Sequence, residues 1–414
     1  MRRVAGILVL LVAACGDAEP ATSQSQQPPQ SSGPAQQCTP LETRPANAPD
    51  QRPAFEGQTR ACAMKSETAT AVTVLARNLV HPWAVEPLPN GDLLVTERPG
   101  RMRIITASGQ IGEPITGLPN IDARNQGGLL DVALSPTFAN DRTIFWSFTE
   151  PREGGNGTSV ARGVLSADGR SVGDVRVIFR ALPTYNNTMH FGSRLAFGPD
   201  GKLYITTGER SDTPMRKHAQ QLDNHLGKVL RINADGSIPQ DNPFVNQPNA
   251  KPEIWSYGHR NIQAMAFDPE GRLWIVEHGT RGGDELNLIE KGKNYGWPVQ
   301  AYGEEYSGQP IAGAETVRPG MQQPVYYWDP VIAPSGMQFY TGSMFPEWRG
   351  NLFVGSMVDK QLVRLRLADN RVTGEERLLG DRRQRVRDVR QGPDGALYIV
   401  TDEQNGELWR VTKR

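Results

Sequence analysis

The sequence predicts an all-β chain folded as a six-bladed β-propeller. Three observations carry this. From about residue 70 onward long amphipathic helix patterns are scarce, and short Val/Ile/Leu/Tyr/Trp runs between turn residues take their place. One turn-then-strand phrase recurs along the chain. Its copies fall about 60 residues apart, a period that suits one small sheet per repeat.

Four copies are plain. Pro89-Asn90-Gly91 precedes Asp92 to Glu97, and Pro199-Asp200-Gly201 precedes Lys202 to Thr206. Pro269-Glu270-Gly271 precedes Arg272 to Glu277, and Pro393-Asp394-Gly395 precedes Ala396 to Thr401. Each is a turn followed by β-branched and aromatic residues. Two weaker copies fill the gaps: Pro136 leads to Thr143-Ile144-Phe145-Trp146, and Pro346 leads to Leu352-Phe353-Val354. A single blade cannot bury both of its faces, so six copies point to a closed ring.

The first residues read as an export signal. Arg2 and Arg3 precede an apolar run from Val4 to Ala14 that is too short to span a bilayer. The run ends in Val12-Ala13-Ala14-Cys15, which resembles the lipobox of bacterial lipoproteins and predicts acylation of Cys15. Residues 1–14 are then a leader. The Gln/Ser/Pro-rich residues 15–37 are a disordered tether, because they cannot bury enough apolar surface to offset chain entropy. The expected location is the periplasm or cell exterior, with membrane contact through the lipid alone. Residues 38–69 form an N-terminal extension, and 70–414 the propeller. Cys38 and Cys62 are left to pair in an oxidising compartment, a closure worth roughly 3 kcal/mol. Lys+Arg and Asp+Glu number 45 each, so no net charge favours nucleic acid.

Four segments are too polar or too Gly-rich for simple hairpin duty. They are Asn125 to Asp131; Asn187 to Arg194 with Gly208-Glu209-Arg210; Tyr257 to Asn261 with Glu277 to Glu285 and Lys293 to Pro298; and Arg385 to Arg390. Singly, each also reads as a structural loop or a solvated face. Together they make a chemical set. Arg385 and Arg387 alternate on a strand, so they share a face and offer two forks to carboxylates. The Gly-rich loop with Glu285 offers hard oxygen ligands of the kind Ca²⁺ takes. His190, with Glu209 to orient it, suits general-base work. No zinc-type Cys/His cluster and no dinucleotide Gly-rich fingerprint is present in the sequence.

In this order the segments resemble the soluble aldose sugar dehydrogenases that use pyrroloquinoline quinone. The resemblance covers roughly residues 70 to 413 and is most specific from Glu253 to Pro298. It implies a six-bladed propeller with the quinone over the channel mouth, an aldose as substrate and calcium as second cofactor. His190 matches the base that takes the anomeric proton, and Glu209 its acidic partner. Gln126, Arg260 and Asn261 match residues around the quinone and the reacting carbon. Arg385 and Arg387 match carboxylate clamps, and Tyr306 a ring beside the cofactor. Ser356-Met357-Val358 matches a cofactor-contacting segment. Gly279 and Thr280 match carbonyl donors to the quinone-bound calcium. Glu285 and Tyr295 match ligands of a further calcium.

Two departures stand out. The family often has a Lys where this chain has Val358, with Lys360 two residues on as a substitute on the same strand face. The common Arg-Asn-Pro-Gln-Gly run reads Arg260-Asn261-Ile262-Gln263-Ala264. Two other readings compete: a propeller that binds carbohydrate or a partner without catalysis, and a calcium-dependent lactonase. The paired arginines favour the dehydrogenase, because a lactonase has no tricarboxylate to clamp.

Overall fold

The computed structural model describes Met1 and residues 38–414. The expected leader, Cys15 and the tether lie outside the described residues. Cys38 and Cys62 are both disulfide-bonded.

Residues 39–414 build six sheets around one axis. After β1 (Thr70–Leu79) the chain makes blade one from β2 (Pro82–Pro87), β3 (Leu93–Glu97) and β4 (Arg101–Ile105). Blade two holds β5 (Leu129–Leu134), β6 (Thr143–Arg152), β7 (Gly155–Leu165) and β8 (Val172–Arg180). Blade three holds β9 (Leu195–Phe197), β10 (Leu203–Thr206), β11 (Lys228–Ile232) and β12 (Ile254–Tyr257). Blade four holds β13 (Ile262–Phe267), β14 (Leu273–Glu277), β15 (Asp284–Ile289) and β16 (Tyr326–Trp328). Blade five holds β17 (Pro334–Phe339), β18 (Leu352–Ser356), β19 (Gln361–Ala368) and β20 (Arg371–Leu378). Blade six holds β21 (Val386–Gln391), β22 (Leu397–Thr401) and β23 (Gly406–Lys413). Its outer strand is β1, paired antiparallel to β23 with Val72 opposite Val411 and Val74 opposite Trp409. The two ends of the propeller thus share one sheet, which closes the ring.

The alternation of apolar residues explains the packing. In β22, Leu397 and Ile399 join the core against blade five, while Tyr398 and Val400 join the core against blade one. In β14, Trp274 and Val276 face blade five, and Leu273 and Ile275 face blade three. A period of two puts each strand's side chains on opposite faces, so every blade feeds two inter-blade cores.

The repeated phrase forms the hairpin between the two innermost strands of each blade. Gly91, Gly201, Gly271 and Gly395 all take positive φ, from 71° to 88°, which only glycine adopts freely. In the weaker copies a short helix (α1, Phe138–Asp141) and a 3-10 turn (Pro346–Trp348) replace the tight turn. Residues 39–64 run along the outer strands of blades four and five. There the Tyr327 amide donates to Gln58 O and the Met64 amide to Glu375 O.

The innermost strands approach closely. A Cβ at Gly336 in β17 would lie 1.9 Å from Asp388 Oδ1 and 2.6 Å from the Asp388 Cα of β21. Gly336→Ala must therefore push blades five and six apart. The expected cost is about 1–3 kcal/mol, read as a lower melting temperature.

Candidate active site

Each innermost strand starts, and each second strand ends, on the face opposite the hairpins. A cavity of about 280 Å³ opens there at the axis, walled by Trp83, Gln126, Asn261, Met357, Val358, Arg385 and Arg387 among others. A larger groove of about 1060 Å³ lies between blades one and two, bounded by Leu88, Phe138, Arg142 and Ser171. It touches none of the four polar segments, so the chemistry belongs to the smaller cavity.

One wall of that cavity is cationic. Arg387 is paired to Asp402 at 2.5 Å, with Arg385 at 3.8 Å and Arg98 at 4.0 Å from the same carboxylate. The His81 imidazole Nδ1 lies 3.1 Å from Asp402 Oδ1. Burial pushes the Asp402 carboxyl up, but Arg387, Arg98 and the hydrogen bonds from Arg387 and His81 outweigh it and hold it well below the usual range. Three guanidiniums thus share one carboxylate. The Arg387 Nε is buried with no partner. This wall is built to receive further negative charge.

Across the cavity, His190 sits at φ 50° with 6% of its surface exposed. Its amide donates to Gln126 Oε1 at 2.9 Å, and its Nδ1 lies 3.1 Å from Glu209 Oε1. Glu209 is fully buried, and its amide donates to Arg260 O at 2.9 Å. Burial and then Arg260 lower the His190 pKa, while Glu209 opposes them. A neutral ring that donates Nδ1–H to Glu209 leaves Nε2 as a free proton acceptor.

Arg260 donates Nη1 to the carbonyls of Gly279 and His278, and its Nη2 lies 3.4 Å from the Tyr306 hydroxyl. Asn261 Oδ1 accepts the Gly192 amide at 3.2 Å, which ties blade four to the His190 turn. Asp284 organises the loop between. Its Oδ1 accepts the Gly279 amide, and its Oδ2 accepts those of Ile332 and Ala333, while burial pushes its pKa up to about 6.

Behind this face, Gly279, Thr280, Glu277, Glu285 and Tyr295 surround a void of about 20 Å³. Burial, then the neighbouring Glu277, push the Glu285 carboxyl well above its usual range. The Thr280 hydroxyl and Asn287 Oδ1 are buried without partners. Among the described residues there is no group of three or more His, Cys, Asp or Glu placed to hold a metal. Two carboxylates with orphaned neutral oxygens nonetheless form a donor set that a hard cation fits.

The sequence profile of the glucose/sorbosone dehydrogenase family matches residues 79–410. The chain belongs to this family. It is 46% identical over 347 residues to the aldose sugar dehydrogenase YliI of Escherichia coli K12, covering 83% of this chain and 93% of the relative. It is 30% identical to the quinoprotein glucose dehydrogenase B of Acinetobacter calcoaceticus, over 82% of this chain and 86% of the relative. A solved pyrroloquinoline-quinone-bound aldose sugar dehydrogenase from Streptomyces coelicolor superposes with a TM-score of 0.68. That match has 30% identity and covers 83% of this chain and 99% of the other.

The family member's sequence-predicted residues converge unevenly. Gln126, Asn261, Met357, Val358, Arg385 and Arg387 line the cavity, while His190, Glu209 and Arg260 stand together next to lining residues Gln126, Phe191 and Asn261 and are not part of the lining themselves. Tyr306 is 71% exposed at the rim. Ser356 lies beneath the wall, its hydroxyl spent on Ile332 O and on the Asp359 amide. Tyr295 is buried, and its ring stacks on His259 at 4.8 Å. The expected strand face shared by Val358 and Lys360 does not exist. β18 ends at Ser356, residues 357–360 form a turn, and Lys360 takes φ 55°. Sequence reasoning missed Trp83, Arg98, His278 and Asp402 as wall residues. The His190 imidazole should titrate below 6.5, and Glu209→Gln should lower it further by removing the carboxylate that favours the charged ring. Imidazole proton NMR against pH checks both.

Proposed function

We propose that this chain oxidises the anomeric hydroxyl of aldoses to lactones, with pyrroloquinoline quinone as hydride acceptor and calcium as second cofactor. The observation that carries this reading is a cavity with a three-arginine wall whose lining also includes Gln126, Phe191 and Gly192, which adjoin the His190–Glu209 pair. A tricarboxylate suits the wall, and a sugar hydroxyl suits the free Nε2 of His190. The names of the quinoprotein relatives agree with that chemistry. When bound, the quinone supplies an electrophilic carbon that takes up the C1 hydride, polarised by calcium.

The chain's own residues do the rest. Arg385, Arg387 and Arg98 hold carboxylates, with Asp402 aligning the guanidiniums. His190 Nε2 accepts the anomeric hydroxyl proton as the C1–H electron pair leaves and the lactone C=O forms. Glu209 fixes the ring's tautomer and steadies the imidazolium that results. Arg260 offers positive charge where a quinone oxygen gains negative charge. Gly279 O and Thr280 O would ligate the ion beside the quinone, with Arg260 giving up its bond to Gly279. Glu285 and the Tyr295 carbonyl would hold another ion. Acylation of Cys15 would keep the enzyme at a membrane surface on the exported side; among the described residues no helix is long and apolar enough to cross one.

Purified protein with quinone and calcium should reduce a redox dye when an aldose is added. His190→Gln should lower kcat by about 10²–10⁴-fold with quinone still bound. Arg387→Ala should weaken quinone affinity more than it changes kcat at saturation, because clamping is ground-state binding. An active His190→Gln enzyme would remove the assignment of His190 as base.

Calcium should raise the melting temperature of the apo protein, since an ion bound only by the folded state stabilises it by mass action. Glu285→Gln should stabilise the calcium-free protein by removing a buried carboxyl beside Glu277, and should blunt the calcium effect. Melts with and without chelator decide it; unchanged melting in every arm removes the calcium roles.

A further inference from the structure

One ion pair near the His190–Arg260 region, Arg216 with Glu305, has no part in the chemistry above. Glu209 is followed by Arg210 and Ser211, both at positive φ (70° and 71°), which turn the chain sharply into a short helix, α2 (Thr213–Arg216). Arg216 ends that helix. Its guanidinium lies 5.5 Å from the centre of the Trp297 ring, and the Arg260 guanidinium lies 5.2 Å from the same ring. Trp297 is anchored in a small core with Ala219, Ala301 and Ile311.

Arg216 grips both oxygens of Glu305, at 2.5 and 3.1 Å. Only 14% of the Arg216 side chain and 26% of that of Glu305 are exposed. A bidentate, mostly shielded pair holds its geometry better than a single-contact surface pair. Glu305 directly precedes Tyr306, whose hydroxyl lies 3.4 Å from Arg260 Nη2. One ion pair therefore joins the blade-three segment that begins at Glu209 to the blade-four segment that carries Tyr306, across a ring that Arg260 also faces.

We propose that the Arg216–Glu305 pair is a positioning clasp, resting on the aldose oxidation assigned above: it holds Tyr306 and Arg260 against the His190 face, so that the sugar meets the base in one orientation. The clasp also sets a charge. Glu209 contacts the His190 ring, and the other charged or titratable groups whose charge reaches it are Asp212 and Arg216 from blade three and Arg260 and His278 from blade four. Arg216 acts with burial and Arg260 to keep the imidazole neutral, against Glu209. Removing its charge raises the pH at which His190 takes up a proton and moves the acidic limb of kcat/KM upward.

The test compares wild type with Arg216→Gln, Arg216→Lys and Glu305→Gln as full chains. Four quantities are read: kcat and KM for aldose at saturating quinone, quinone affinity by tryptophan fluorescence of apo protein, melting temperature, and the His190 titration by NMR in apo protein. Arg216→Gln should lose tenfold or more in kcat/KM, since small misplacements near a reacting centre cost as much as about 10²-fold. Its quinone affinity should fall much less than its kcat/KM, because the arginine wall stays in place, and its His190 titration should move upward. Arg216→Lys should restore the titration but only part of kcat/KM, because an ammonium keeps the charge and loses the fork. Glu305→Gln should lose kcat/KM by a larger factor than quinone affinity.

Wild-type kcat/KM in both Gln variants overturns the clasp. So does a loss of quinone affinity and melting temperature in step with activity, which marks a merely structural pair. A wild type that oxidises no aldose counts against the assigned reaction instead. The NMR arm still judges the clasp in that case, because an unmoved His190 signal in Arg216→Gln overturns it.

Discussion

The structure hangs on one buried guanidinium. Arg194 precedes β9 in blade three and has no exposed surface. Its Nη1 lies 2.9 Å from Asp131 of blade two and 3.2 Å from Asp388 of blade six. Its Nε donates to Gln263 O of blade four at 3.1 Å, and its plane lies 4.3 Å from the Trp83 ring of blade one. One side chain thus touches four blades besides its own. A propeller axis needs this, because inner strands that diverge from a ring leave a channel no apolar side chain fills from one side. A charge so deeply buried survives only with its partners in place. Removal of one partner from such a pair costs about 3–5 kcal/mol, so the blades are held in mutual register at the depth where the cavity begins.

That knot decides where the chemistry sits. Trp83 lies above Arg194, and its ring centre is 5.9 Å from the Arg387 guanidinium on the cavity wall. The floor of the cavity is therefore fixed by the same contact that fixes the axis. Above it the charges separate. Arg98, Arg385 and Arg387 gather on the side of blades one and six around Asp402. His190, Glu209 and Arg260 gather on the side of blades three and four. The reaction proposed above would use such a division: fixed positive charge for an anionic cofactor, and an uncharged acceptor of protons for a neutral sugar. Burial and the Arg260 guanidinium already keep the His190 imidazole neutral, so the base side needs nothing from the arginines of the other wall.

What the sequence made legible follows from range. The turn phrase is local, so six copies announced six blades and their hairpins. The His190–Glu209 contact was legible because Glu209 follows its own phrase strand at a short distance from His190. The rest of the wall needed the ring. Arg98, His278 and Asp402 each stand five residues after the first residue of a phrase strand, at Leu93, Leu273 and Leu397, as does Met357 after Leu352, which the family resemblance itself marks. Antiparallel pairing carries that position to the cavity face in these four blades, one, four, five and six. The register was present in the repeat, but only the closed ring shows that this one position converges. Lys360 failed for the opposite reason. An alternation rule was extended past Ser356, where the Ser356 hydroxyl caps a turn through the Asp359 amide and ends the strand.

The Glu277–Glu285 pair shows how the two halves of the site are coupled. Glu277 Oε2 accepts the backbone amide of Arg260 at 2.6 Å, while its Oε1 accepts from His259 at 2.9 Å and from Asn287 at 3.2 Å. Its acceptors are filled, so it serves as an anchor for Arg260. Glu285 has one donor, Asn287 at 3.0 Å, and burial together with Glu277 disfavours its charge. An unshared buried carboxylate is costly, and a fold retains one where something else is to be bound. Glu285 and Glu277 face each other across β14 and β15, one register step from the Gly279–Thr280 loop. A cation held by Glu285 would relieve the repulsion that Glu277 feels, and Glu277 holds Arg260. The void behind the face is therefore coupled to Arg260: a cation bound there would act, through one carboxylate and one backbone amide, on that residue.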